Sequence, residues 1–203
     1  NCGAITWTHN YTSLTTTTCG TVGNATVIFT ATDDCGNFTT ATAQLTIRDT
    51  QNPVITGVPN DTTVSCSAVP VAATPSVSDV CDATIALVYN ETRTNGLCAN
   101  SYTLTRRWTA TDVCGNVTTR TQILTVQDIT KPSLLNVPND TIVDCSAIPT
   151  PANVTASDNC DASLTVNYVQ NRTNGNCPNN YTLTRTWTVT DVCGNTQTAT
   201  QIL

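Results

Sequence analysis

The stretch Tyr181–Asn195 reads YTLTRTWTVTDVCGN. Tyr181, Leu183, Trp187 and Val189 share one parity, and Thr182, Thr184, Thr186, Thr188 and Thr190 the other. Side chains of an extended chain alternate between faces, so this period of two predicts a half-buried β-strand. Tyr102–Asp112 repeats the pattern with Trp108, and Gly23–Asp33 repeats it with Phe29 in the tryptophan position. Arg106 and Arg185 fall on the inward face. Each reads as a buried stem whose head reaches the sheet edge or stacks on an aromatic, with a ligand-binding arginine as the alternative. The Gly and Asn of D-V-C-G-N then supply a tight turn, and Val117–Asp128 returns with Leu124 and Val126 inward. Upstream, Leu164, Val166 and Tyr168 alternate on another strand, as do Ile85, Leu87 and Tyr89. In the first copy Ile5, Trp7, His9 and Tyr11 run one position out of step, which predicts a bulge or slipped register.

The cysteines carry the same period. Cys2, Cys81 and Cys160 are spaced by 79 residues, as are Cys19, Cys98 and Cys177, then Cys35, Cys114 and Cys193, and finally Cys66 and Cys145. A fixed period without insertions means one structural unit repeated head to tail. Residues 1–49 read as the C-terminal part of a truncated repeat, 50–128 as a complete repeat and 129–203 as a nearly complete one. Such a chain resembles a window cut from a longer polymer, in which no signal peptide is expected. Arg48–Pro53 (RDTQNP) and Gln127–Pro132 (QDITKP) are short joints, which favour a semi-rigid string. Helical periodicity is absent while Thr, Val and Ile are dense. The fold expected is all-β: tandem immunoglobulin-like antiparallel β-sandwich repeats with two disulfides each.

Charged residues make up only 11% of the chain, with a net charge of −6. Ordinary soluble domains carry roughly 25%, and nucleic-acid binding needs a basic surface. No apolar run approaches the ~18 residues of a membrane span. Threonine is about a fifth of the sequence, so the surface expected is neutral and rich in hydroxyls. Eleven cysteines without any CxxC spacing argue against zinc and for an oxidised, extracellular framework.

Strand direction narrows the pairing. If strands run down to Cys66, up to Cys81, down to about Thr94, up to Cys114 and down to Asp128, then Cys66 and Cys98 share one pole. Cys81 and Cys114 share the other. Cys98 and Cys114 flank a single strand and lie roughly 35 Å apart, beyond the ~7 Å a disulfide allows. The pairs expected are Cys66–Cys98, Cys81–Cys114, Cys145–Cys177, Cys160–Cys193 and Cys2–Cys35, with Cys19 unpaired. Each closes a loop of a little over thirty residues, worth on the order of 3–4 kcal/mol in the chain-entropy model.

Pro59–Val64 (PNDTTV), Ser157–Cys160 (SDNC) and Ala110–Asn116 (ATDVCGN) resemble the hyalin repeat (HYR) class of immunoglobulin-like domains. They look most like the version found in very long bacterial surface proteins, including adhesins. The resemblance implies an extracellular repeat in an adhesive or structural stalk, with no catalytic residue to carry over. Many hyalin repeats place a cysteine just before the P-x-D motif, whereas Gly57 and Asn136 stand there in this chain.

No catalytic constellation is visible. His9 is the only histidine and is not repeated; it reads as an exposed strand residue. The acidic residues are more suggestive. Asp128, Asp158, Asp161 and Asp191 are expected to meet at one joint, and Asp49, Asp79, Asp82 and Asp112 at the other. There Asp112 and Asp191 either cap their turns, or the two sets hold Ca²⁺, a hard cation that takes six to eight oxygens. N-x-[ST] triplets begin at Asn10, Asn24, Asn37, Asn60, Asn90, Asn116, Asn139, Asn153, Asn171 and Asn180. Asp61-Thr62-Thr63 and Asp140-Thr141-Ile142 look like D-[S/T] sites of bacterial O-glycosylation, so Thr62, Thr141, Asn37, Asn60, Asn116 and Asn139 are candidate glycan carriers.

The function expected is a structural fibre or stalk of a cell-surface adhesin or filament, non-enzymatic, each unit adding roughly 35–40 Å. Its partners are neighbouring repeats of the same chain, with lateral or end-to-end self-association through strand addition. The competing reading is a carbohydrate- or protein-binding module acting through repeat loops, which exposure of Trp108 or Trp187 would favour. Ice binding, prompted by the T-x-T-x-T ladders, is the outsider.

Overall fold

The computed structural model describes residues 3–13, 15–16 and 23–203. Apart from one 3₁₀ turn at Cys66–Ala68, every regular element among them is a strand. The strands are β1 (Ile5–His9), β2 (Thr15–Thr16), β3 (Gly23–Asp33), β4 (Phe38–Ile47), β5 (Val54–Thr56), β6 (Thr62–Ser65), β7 (Ser76–Ser78) and β8 (Ala86–Asn95). They continue as β9 (Tyr102–Thr111), β10 (Val117–Gln127), β11 (Ser133–Leu135), β12 (Thr155–Ser157), β13 (Val166–Asn174), β14 (Tyr181–Thr190) and β15 (Thr196–Ile202). The chain is an all-β protein of immunoglobulin-like sandwich repeats, as the alternation predicts.

Two compact units divide the chain, and they do not follow the 79-residue period. One holds Asn1–Pro59, Ala73–Asn90 and Arg107–Thr121; the other holds Asn60–Ala72, Glu91–Arg106 and Gln122–Leu203. Strands β8, β9 and β10 each contribute residues to both.

In the first unit β3 pairs antiparallel with β1, β2 and β4. His9 stands opposite Phe29, whereas the corresponding pair 158 residues later is Tyr168 opposite Trp187, which maps onto Asn10. The first copy is therefore slipped by one residue. Asn10 absorbs the slip: its side-chain oxygen accepts the Ile28 N–H at 2.7 Å. The core of this unit is Ile55, Trp108 and Ala110, covered by Val58, Ala73, Val77, Ile85 and Leu87. Strand β5 pairs antiparallel with β7, setting Ile55 opposite Val77. Trp108 is 1% exposed, with the Tyr89 ring 5.3 Å away.

In the second unit the sheet order is β6-β10-β9-β8. Edge strand β6 runs parallel to β10, with Val64 opposite Val126, a departure from the all-antiparallel expectation. Leu104, Leu124 and Val126 form the core there, with Val64, Val69 and Tyr102 packed on it. Strand β14 pairs antiparallel with β13 and β15, and β11 with β12. Along β14 Leu183, Trp187 and Val189 are buried while the threonines are not. Those threonines meet across strands: Thr188 and Thr198 hydroxyls are 3.2 Å apart, and Thr190 and Thr196 are 2.8 Å apart. Cross-strand Thr pairs of this kind stabilise a sheet face that carries no charge.

The inward arginines act as clamps. Arg106 is 4% exposed; its Nε donates to Glu91 Oε2 at 2.8 Å, and Nη2 and Nη1 donate to the carbonyls of Pro70 and Val71 at 2.7 and 3.3 Å. Arg185 repeats this with Gln170 in place of the glutamate and with the carbonyls of Pro149 and Thr150. Both heads are spent on holding a loop to the sheet. The arginines that stack on aromatics are instead Arg93 over Tyr102 and Arg172 over Tyr181, at 3.7 and 3.8 Å.

Candidate functional site at the repeat joint

Cys66 and Cys98 do lie at one end of the second repeat, but they do not bond to each other. Cys66 pairs with Cys160 and Cys98 with Cys193, with Cα–Cα distances of 5.8 and 5.0 Å. Both bonds lie within the second unit and join one repeat to the next. The sequence-based pairs Cys66–Cys98 and Cys160–Cys193 are thereby corrected. Cys145–Cys177 is corrected too, since both thiols are free and exposed. Cys81–Cys114 is not among the disulfides between described residues either. The Cys2–Cys35 pair and the unpaired Cys19 rest on residues outside the described ones.

The sheet order explains the correction. Cys66 follows β6 and Cys98 follows β8, and these are the opposite edges of the four-stranded sheet. Three inter-strand spacings separate them, about 14 Å, twice what a disulfide spans. Shared height along the strands is not proximity.

Two groups of acidic residues converge, and Asp128 of one lies beside the Cys66–Cys160 bond. One carboxylate oxygen from each of Asp128, Asp158 and Asp191 lies within 4.8 Å of the other two, and the same holds for Asp49, Asp79 and the Cys81 sulfur. Asp161, Asp82 and Asp112 stay outside both groups. Asp161 Oδ1 accepts the Ser163 N–H at 3.1 Å and Oδ2 the Val192 N–H at 3.1 Å. Asp82 does the same with Thr84 and Val113, at 2.8 and 2.6 Å. Asp112 takes the Asn116 backbone and side-chain N–H groups, each at 2.8 Å. Burial pushes the Asp112 carboxyl up, yet the Asn116, Gly115 and Cys114 donors outweigh it and leave the pKa lowered. Asp128 goes the other way: burial first, then the charges of Asp158 and Asp191, raise it against bonds from Thr130 and Asn100.

The turns recur. Gly36, Gly115 and Gly194 all hold φ between 85° and 88°, the left-handed conformation that glycine adopts without strain. Asn195 then donates from Nδ2 to the Asp128 carbonyl at 3.2 Å, tying the turn after β14 to the segment entering the last repeat.

The remaining candidates are dispersed. His9 is exposed on β1, edge-on to Phe29 at 6.3 Å. Thr62, Thr141, Asn37, Asn60 and Asn139 are exposed and Asn116 is half-buried. The side-chain amides of Asn37 and Asn116 are engaged by Asp33 and Asp112. The parallel β6 edge and the crossing disulfides were missed by sequence reasoning; the signal available was the relation between residues about 95 apart, which no local pattern carries.

A family model described as an HYR-like domain with four cysteines matches residues 54–126 and 134–203. The chain belongs to this family. Two HYR-like copies thus account for most of it, and each matched span holds four cysteines, two of which form the bonds at the joint. The family departure at Gly57 and Asn136 has a local cause: both residues hold positive φ, 85° and 65°, where a cysteine would be strained. No curated protein matches. Among solved structures, the HYR-like chain is similar to Drosophila N-cadherin EC1-4, with 13% identity, TM-score 0.36, and coverage of 89% of this chain and 57% of that one. It is also similar to the protocadherin GammaB4 extracellular domain, with 17% identity, TM-score 0.33, and coverage of 89% and 39%. The chain thus spans little more than half, or less, of those two structures, and TM-scores this low carry no argument.

Proposed function

We propose that this chain is a segment of an extracellular stalk or fibre, part of a bacterial cell-surface adhesin or filament, whose HYR-like repeats are stapled to one another. The observation that carries the reading is the pair of disulfides Cys66–Cys160 and Cys98–Cys193. A bond inside a repeat only shortens what unfolds. A bond between repeats lies in the path of a pulling force and shields the joint. Disulfides persist in oxidising, extracellular settings, and the weakly charged, hydroxyl-rich faces suit a passive shaft. Glycans on Thr62, Thr141, Asn60 or Asn139 would supply hydration to such faces; intact mass of native material measures them. The role proposed is mechanical and assigns no catalytic residue.

Single-molecule stretching tests the reading. With both bonds closed, the shortest covalent path bypasses about 94 residues, roughly 300 Å of extended chain. The oxidised chain should therefore stretch at least roughly 300 Å less than the reduced one. Equal lengths would sink the proposal. The rival reading, binding through repeat loops, expects Trp108 or Trp187 to be exposed, yet they are 1% and 2% exposed.

A further inference from the structure

We infer that Asp128, Asp158 and Asp191 form a calcium site at the junction of consecutive repeats. Their carboxylates come from three separate segments, after β10, after β12 and after β14, and converge to within 4.8 Å. Convergence of acids would mean little by itself. The independent observation is the condition of the oxygens. Asp128 is 5% exposed and its Oδ2 is buried with no hydrogen-bond partner; Asp158 Oδ2 is in the same condition. A buried carboxylate oxygen without a donor is costly, because the water it lost has not been replaced. No side-chain cation replaces it: among the described residues the one salt bridge is Arg106–Glu91.

The other oxygens are already fixed. Asp158 Oδ1 accepts the N–H groups of Cys160 and Asp161 at 2.8 and 3.1 Å. Asp191 Oδ1 accepts those of Cys193 and Asn195 at 2.9 and 2.8 Å, and Oδ2 accepts Asn195 Nδ2 at 2.8 Å. These bonds hold the carboxylates in place and leave acceptor capacity facing inward. Burial and the two neighbouring charges also raise the Asp128 pKa, the condition a bound cation would relieve.

The donor set selects the ion. It is all oxygen, since Cys66 and Cys160 beside Asp128 are bonded to each other and offer no thiolate. Hard cations follow from that. Ligands on three loops suit the irregular six-to-eight coordination of Ca²⁺, completed by water, better than the near-ideal octahedron Mg²⁺ demands. Asp158 and Asp191 each stand two residues before a joint cysteine, Cys160 and Cys193, so the ion would also seat both cysteines for pairing. One period earlier Asp49 Oδ2 is likewise buried and unpartnered, but only two carboxylates converge there. The strong site is the one at Asp128.

Calorimetric titration of the oxidised full chain with calcium chloride tests this. Saturable binding at or below about 10⁻³ M is expected, the range of extracellular calcium modules, and Asp128→Asn should weaken it about tenfold or more. Thermal melts add a crossing signature. In chelator Asp128→Asn should melt above the parent chain, having lost a buried unpaired charge; in calcium it should melt below. Should Asp128→Asn fail to fold, Asp158→Asn serves in both measurements. Absence of saturable binding to the parent chain, or equal affinity in the variants, overturns the inference. Neither result bears on the stretching experiment, which reads the disulfides alone.

Discussion

Two poles of the second unit are built from corresponding stretches of the repeat and end up in different states. The pole carrying Cys66 and Cys98 is closed: both cysteines are bonded, β6 pairs with β10, and Leu124 is completely buried. The pole carrying Cys145 and Cys177, 79 residues later, is open. Both of its cysteines are exposed thiols and residues 141–144 form no strand; the last strand is reached by the Thr141 N–H at Ile202 O, 3.0 Å, and by Asp140 Oδ1 and the Asn139 carbonyl, which accept from Ile202 N and Gln201 Nε2 at 2.7 and 2.9 Å. A groove of about 650 Å³ lined by Cys145, Ile148, Leu183 and Leu203 lies where the closed pole has its core. Local sequence is the same in kind, so the difference lies in what stands against each pole. The closed pole is completed by Cys160 and Cys193, 94 and 95 positions further on.

The contrast can be broken most forcefully by reduction. Each joint disulfide closes a loop of 94 or 95 residues, worth about 4.7 kcal/mol at most in the chain-entropy model. Reductant should therefore lower the melting temperature sharply, by a larger margin than any single substitution, and an unchanged melt would show that the crossing bonds bear no load. Non-reducing peptide mapping should recover Cys66 with Cys160 and Cys98 with Cys193. Iodoacetamide under native conditions should label Cys145 and Cys177 and spare those four.

A matched pair of substitutions sharpens the comparison next. Leu124→Ala in the closed pole should cost about 2–5 kcal/mol, the usual range for a buried leucine. Leu203→Ala, at the same place in the period but half-exposed on the open groove, should cost under about 1 kcal/mol. Equal losses in denaturant unfolding would mean the open pole is packed after all.

A smaller effect is expected from pH. Asp128 has its folded pKa raised above 3.8, so in chelator its contribution falls as pH rises through the raised value. Asp33 and Asp144 have lowered pKa values, held down chiefly by Asn37 and by Ser146 respectively. Asp112 is lowered as well, although burial, its largest influence, acts upward and is outweighed by its donors. The stability those three contribute is present above about 3.8 and is lost as pH falls through their folded values. Metal-free protein should then lose stability on both sides of about pH 4, and Asp128→Asn should remove only the loss on the alkaline side. The smallest change is expected from Cys145→Ser with Cys177→Ser, within about 0.5 kcal/mol, as for surface substitutions generally.

Much of the site was legible before the fold. The convergence of Asp128, Asp158 and Asp191 follows from strand direction and period, both readable in the residues. What could not be read was which acids would be spent on distant backbone donors. Asp82 and Asp161 each reach across to a backbone N–H 31 residues away, Val113 and Val192, and that reach depends on how loops from different strands stack. The inward arginines show the same limit: alternation places Arg106 and Arg185 on the buried face, but their carbonyl partners lie 35 and 36 residues upstream in an irregular loop.

Residue order alone settled the repeat length, the strands, the turns and the end of the sandwich at which Cys66, Cys98, Cys160 and Cys193 sit, because these depend on parity and on neighbours along the chain. Which sulfur meets which was decided only by the assembled sheet. Putting β6 and β8 on opposite edges parts Cys66 from Cys98, while the following repeat brings Cys160 and Cys193 within bonding distance. A disulfide senses a few ångströms in three dimensions, and the linear pattern records only one of them.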